Sequence, residues 1–135
     1  MPGPIIVSLP IADRPRAFRF YRELGFDAVG TPVEDGVPEP CLFALNPGLQ
    51  LMLIPSGGFG WVTEGHEVAP PGTSECLLSF AVDGNEHVAA FVERARQAGA
   101  LVTVEPTEKP WGYVGTFADL DGHLWMVTAG DREGA

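Results

Sequence analysis

Apolar residues along the chain fall into short runs separated by turn-forming residues, and the same order of runs occurs twice. Trp111 to Val127, WGYVGTFADLDGHLWMV, predicts a strand (Tyr113 to Phe117), a tight turn over residues 119–122, and a second strand (His123 to Val127). Asp side chains bond nearby backbone N–H groups and Gly admits positive φ, so Asp-Leu-Asp-Gly suits a hairpin turn. Residues 41–54, CLFALNPGLQLMLI, repeat the layout with Asn-Pro-Gly at the turn. Placing Gly48 on Gly122 puts Met52 on Met126, an offset of 74 for both pairs (122 − 48 and 126 − 52).

The segments before each hairpin match as well. Ile5 to Leu9 predicts a strand ending at Pro10, and Asp13 caps a helix that tolerates Pro15 in its first turn. Ala17, Phe20, Tyr21 and Leu24 recur at i, i+3, i+4 and i+7, and Gly25 ends that helix. In the second half Cys76 to Asp83 predicts the strand, and Asp83 or Asn85 the cap. Val88, Phe91, Val92 and Ala95 form the apolar stripe, and Gly99 is the stop. Ser8 falls on Ser79 and Ile6 on Leu77, both at an offset of 71 (79 − 8 and 77 − 6), while Gly25 falls on Gly99 at 74 (99 − 25). Phe26 to Val33 and Ala100 to Val104 predict the second strand of each half, followed by loops at 34–40 and 106–110. Residues 55–74, rich in Gly and Pro, predict a long irregular segment, either a functional flap or a connector.

Each half therefore predicts β-α-β-β-β, a duplicated α+β architecture. The expected organisation is one domain, with module 1 at about 4–54, a connecting loop at 55–74, module 2 at about 75–129 and a polar tail at 130–135.

Composition narrows the function classes. A chain of 135 residues is long enough to bury a core, and no apolar run approaches the roughly 20 residues of a membrane span. The start, MPGPIIVSLPIADRPR, lacks a basic stretch followed by a long apolar one, so no signal peptide is expected and the cytoplasm is the expected compartment. Cys41 and Cys76 lie in apolar strand-like runs and are expected to be buried free thiols. A net charge of −10 argues against nucleic acid, which requires Lys and Arg to neutralise phosphates. Glu34, Asp35 and Glu39 are expected to form a solvated loop, with cation binding as the weaker alternative.

Three segments, PIADRPRAFRFYRELGF at 10–26, QAGA at 97–100 and FADLDGHLWMV at 117–127, resemble the vicinal oxygen chelate superfamily. That group includes glyoxalase I, extradiol dioxygenases and bleomycin-resistance proteins. The resemblance implies two tandem βαβββ modules whose strands form a curved eight-stranded sheet around a cavity, and commonly a homodimer. It also implies a divalent metal held by His, Glu or Gln from the first and last strand of each module. Those four positions carry Ile6, Met52, Leu77 and Met126 here, none of which suits a hard cation. No metal and no cofactor are therefore expected.

The remaining candidates are side chains that would line an apolar cavity. Ser8 and Ser79 each stand two residues beyond an implied ligand position and so share its face of the strand. Orienting a ligand and bonding the neighbouring backbone are equal readings for these two hydroxyls. Trp61, Trp111 and Tyr113 are aromatic candidates for a pocket or a dimer interface, with core packing as the alternative. Trp125 and Met126 alternate, so one faces the cavity and the other packs outward. Among the imidazoles, His87 and His123 suit surface and turn positions, whereas His66 sits in the long loop where it can fold over a cavity.

These features favour a metal-independent protein of the bleomycin-resistance type that binds a small organic molecule, aromatic or cationic. The alternative is a glyoxalase-type lyase or isomerase, or a dioxygenase-like enzyme, with a non-standard or absent metal site.

Overall fold

The computed structural model describes residues 2–130. Contacts divide the chain into two units, Met1–Val68 and Ala69–Ala135, and each contains one four-stranded mixed sheet covered by a helix. The order is β1 (Ile5–Ile11), α1 (Arg14–Glu23), β2 (Asp27–Val29), β3 (Cys41–Asn46), β4 (Leu49–Pro55) and α2 (Ser56–Thr63) in the first unit. The second contains β5 (Leu78–Asp83), α3 (Gly84–Gln97), β6 (Leu101–Lys109), β7 (Gly112–Ala118) and β8 (Leu124–Gly130). The strand orders are β1-β4-β3-β2 and β5-β8-β7-β6, so the two modules share one topology. In each, the first strand runs parallel to the last and the other pairs are antiparallel. The eight strands thus form the tandem βαβββ architecture as two hydrogen-bonded sheets of four.

The helices form for the reasons legible in their sequences. Asp13 Oδ1 accepts from Arg16 N at 2.9 Å at the start of α1, and Gly25 follows its last turn at φ 93°. Ala17, Phe20, Tyr21 and Leu24 are all buried, with Tyr21 packing near Phe20, Phe26 and Phe43. In the second module Val88, Val92 and Ala95 are buried, and Phe91 packs against Phe80 and Phe117. Asp83 is the residue at the N-cap of α3, but its side chain makes no cap bond to the helix. Its carbonyl instead meets Nδ1 of His87.

Several boundaries differ from expectation. The segment expected to be irregular contains α2, although Gly57, Gly58 and Gly60 disfavour a helix by up to about 1 kcal/mol each. The Ser56 hydroxyl donates to Ile11 O at 3.1 Å and anchors its start. β2 shortens to three residues; beyond it the chain makes an isolated bridge between Pro32 and Pro38 and a Val33 N–H bond to Val37 O at 3.1 Å, where the prolines supply no ladder donors. β6 continues through Pro106 to Lys109. It is an edge strand, and its register shifts between Val104 and Thr107, where a missing N–H is tolerated. β5 begins at Leu78, so Cys76 is exposed while Cys41 is buried; the expectation of two buried thiols holds for Cys41 alone. The last strand starts at Leu124 and runs on to Gly130; the rest of the expected polar tail, 131–135, lies outside the described residues.

Candidate functional site

Side-chain alternation gives each sheet a helix-covered face and an open face. In the first module Leu9, Ile11, Cys41, Phe43, Leu51 and Leu53 are buried beneath the helix. Their neighbours Ser8, Leu42 and Met52 stand on the other face and are half-buried. The register places Ser8 beside Met52 and Met52 beside Leu42, giving a row across β1, β4 and β3. Ile6, 48% exposed, lies next along β1 beside Gln50.

The second module repeats this arrangement. Trp125, Val127 and Phe117 are buried on the helix side, with Phe80 edge-on to Trp125 at 6.2 Å between ring centroids. The alternation left open in the sequence is thereby decided: Trp125 packs under α3 and Met126 stands on the open face. Ser79 is beside Met126, and Met126 beside Thr116, so the row runs Ser79–Met126–Thr116 across β5, β8 and β7. Leu77, 47% exposed, precedes β5 and shares the parity of Ser79.

The aromatic candidates do not join these rows. Trp61 lies on α2 and is 82% exposed, and Trp111, at the β6–β7 turn, is 66% exposed. Tyr113 has the parity of Gly115 and Phe117 and so belongs to the helix side of β7, not to Met126's face. His66 is exposed beyond α2. His123 follows the turn, where its backbone N–H donates to Asp119 Oδ1 at 2.8 Å. Gln50, Thr116 and Thr128 escaped the sequence reading. Thr128 was legible, because it stands two residues beyond Met126. Thr116 needed the cross-strand register, and Gln50 falls between the two positions on which the reading concentrated.

Polar chemistry on the open rows is limited to neutral groups. The hydroxyls on these faces come from Ser8 on β1, Ser79 on β5, Thr116 on β7 and Thr128 on β8. Such a donor set does not fit a divalent cation: Ile6 and Leu77 offer no donor, and the thioethers of Met52 and Met126 are soft and weak. Among the described residues, no group of three or more His, Cys, Asp or Glu is placed to hold a metal ion.

The acidic loop is likewise occupied by the chain's own cation. Arg14 Nε lies 3.0 Å from Asp35 Oδ2, and its Nη1 lies 3.5 Å from Glu39 Oε2. Nη2 donates to Val37 O at 3.3 Å and Pro38 O at 3.1 Å. The hydrogen bond from Arg14 holds the Asp35 carboxyl below its ordinary range, helped by Val37 N donating to Oδ1 at 3.0 Å. Nearby, burial pushes the Cys41 thiol up to about 11, so it stays protonated and is a poor nucleophile.

Comparison with known proteins adds the family. A family model described as the Glyoxalase/Bleomycin resistance protein/Dioxygenase superfamily matches residues 5–127. The hypothetical protein SA1046 from S. aureus is 26% identical, with a TM-score of 0.81 over 96% of this chain and 95% of that one. Protein ATC0852 from Agrobacterium tumefaciens is 27% identical, with a TM-score of 0.71 over 96% and 98% of the two chains. A glyoxalase-related enzyme from Fulvimarina pelagi, 24% identical, shares the fold at a TM-score of 0.76 over 93% and 86%. No curated protein matches. With two βαβββ modules of one topology and a family match across nearly its whole length, the chain belongs to the Glyoxalase/Bleomycin resistance protein/Dioxygenase superfamily.

Proposed function

We propose that the protein binds a small organic molecule without a metal, on the open sheet faces that carry Met52 and Met126. The observation that carries this reading is the repeated serine–methionine row, free of charged side chains at its centre. Methionine side chains are flexible and polarisable and suit a flat aromatic body. An aromatic ligand is favoured over a cationic one, because the acidic loop already binds Arg14.

Two measurements test the reading. Elemental analysis of the purified protein is expected to find Zn, Ni, Fe and Mn well below one per chain. A stoichiometric metal would favour a glyoxalase-type lyase or a dioxygenase-like enzyme instead. Titration with planar neutral and planar cationic aromatic compounds, followed by calorimetry, is expected to give saturable binding of the neutral series. Absence of binding by both series would sink the proposal.

The protein is also read as a cytoplasmic homodimer. Support for the dimer comes from Ile5 and Leu101, each 68% exposed on an edge strand of its own sheet. Light scattering on the eluting protein is expected to give twice the chain mass. No helix among the described residues is long and apolar enough to cross a membrane.

A further inference from the structure

The two open faces have the same layout and different chemistry. The offset of 74 that relates Met52 to Met126 also relates Leu42 to Thr116 and Ile54 to Thr128 (116 − 42 and 128 − 54). In the first module Met52 is flanked by Ser8 and Leu42, with Ile54 next along the strand. In the second module Met126 is flanked by Ser79 and Thr116, with Thr128 next along the strand, beside Ala81 and Val114. Two aliphatic side chains of one face are thus hydroxyls on the other.

Resting on the binding reading above, we infer that Ser79, Thr116 and Thr128 set the specificity of the second module's face, selecting an uncharged hydrogen-bonding group on an aromatic ligand. Ser79 and Thr116 flank Met126 in register and Thr128 is next on the same face of its strand, so an aromatic ring seated on Met126 has its edges toward these three residues. Each hydroxyl donates and accepts, which matches a phenolic or carbonyl substituent of either polarity. The Thr116 carbonyl is already taken by the Thr103 hydroxyl at 3.3 Å, leaving the Thr116 side chain as that residue's group for a ligand. A charged substituent has no counter-ion in the rows around Met126 and loses its hydration on binding. Asp83 and Lys109 stand at the strand ends, away from this centre.

The experiment compares naphthalene, naphthol and naphthoate by calorimetry against the full chain, then against Ser79→Ala, Thr116→Val, Thr128→Val and the triple variant. Thr→Val keeps the side-chain shape and removes the hydroxyl. Circular dichroism and thermal melts select the variants that fold, and any one of the singles suffices for the comparison. Naphthol is expected to bind at least tenfold more tightly than either naphthalene or naphthoate. That preference is expected to fall several-fold in each single variant and to vanish in the triple one, with naphthalene binding kept or improved. A naphthol preference unchanged in the folded variants, or naphthoate as the best ligand, overturns this inference and leaves the binding reading standing. Binding of none of the three probes overturns the binding reading, and the inference with it.

Discussion

Ser79 and Met126 are in-register neighbours on parallel strands, and Ser8 and Met52 hold the same relationship in the first module. Met52 and Met126 each stand one residue away from a fully buried position on the opposite face, so chain neighbours have opposite roles. Leu51 is wholly buried, whereas Met52 is half-buried. Leu51→Ala is expected to lower unfolding stability by about 2–5 kcal/mol and Met52→Ala by only about 1 kcal/mol. Urea denaturation checks this, and equal losses would mean that Met52 belongs to the core. Ligand binding should show the reverse ranking in folded protein.

A second prediction concerns Gly115, at the centre of β7. A Cβ there would lie 2.7 Å from Val92 Cγ2 and 3.3 Å from Pro106 Cγ, so α3 and β6 approach because no side chain intervenes. Gly115→Ala is expected to cost about 1–3 kcal/mol through overpacking. A thermal melt unchanged from wild type would show that the helix yields freely.

The β7–β8 turn depends on a buried carboxylate. Asp119 is 5% exposed, and its Oδ1 accepts from Asp121 N at 2.9 Å and from His123 N at 2.8 Å. Asp119→Ala leaves both donors short of a partner and is expected to cost about 1–3 kcal/mol. Asp119→Asn retains a carbonyl oxygen and should recover most of that loss. Equal destabilisation by the two would assign the effect to charge rather than to the acceptor.

The link between Arg14 and Asp35 predicts a pH dependence. Because the folded-state pKa of Asp35 lies below its unfolded value, the unfolded chain binds more protons in the window between them. The contribution is therefore complete above the ordinary carboxylate pKa of about 4 and is lost as pH falls through the folded value. Melting temperature should fall on acidification, and Asp35→Asn should remove part of that slope while lowering stability at neutral pH. Parallel pH profiles for the two proteins would show that the pair contributes nothing.

Tryptophan exposure supplies a check on the positions of the aromatic candidates. Trp125 is 2% exposed, against 82% for Trp61 and 66% for Trp111. Acrylamide should quench two populations, and the variant lacking both Trp61 and Trp111 should retain only a protected, blue-shifted emission.

The duplicated βαβββ order, both long helices with their stops and both hairpins were legible in the chain, because each rests on local physics. A stripe such as Ala17, Phe20, Tyr21 and Leu24, a glycine after the last turn and an Asp-Gly turn all act over a few residues. Met126 was legible for the same reason: strand alternation opposes it to Trp125. The tertiary structure decided which of the two faces the helix, since only packing of Phe80 against the indole selects a side. It also decided that β6 runs through Pro106, because an edge position forgives a missing donor, and that Gly-rich residues 56–63 form a helix. Above all it brought Thr116 beside Met126. Neighbours across strands are set by register, and register is a property of the paired sheet rather than of either strand alone.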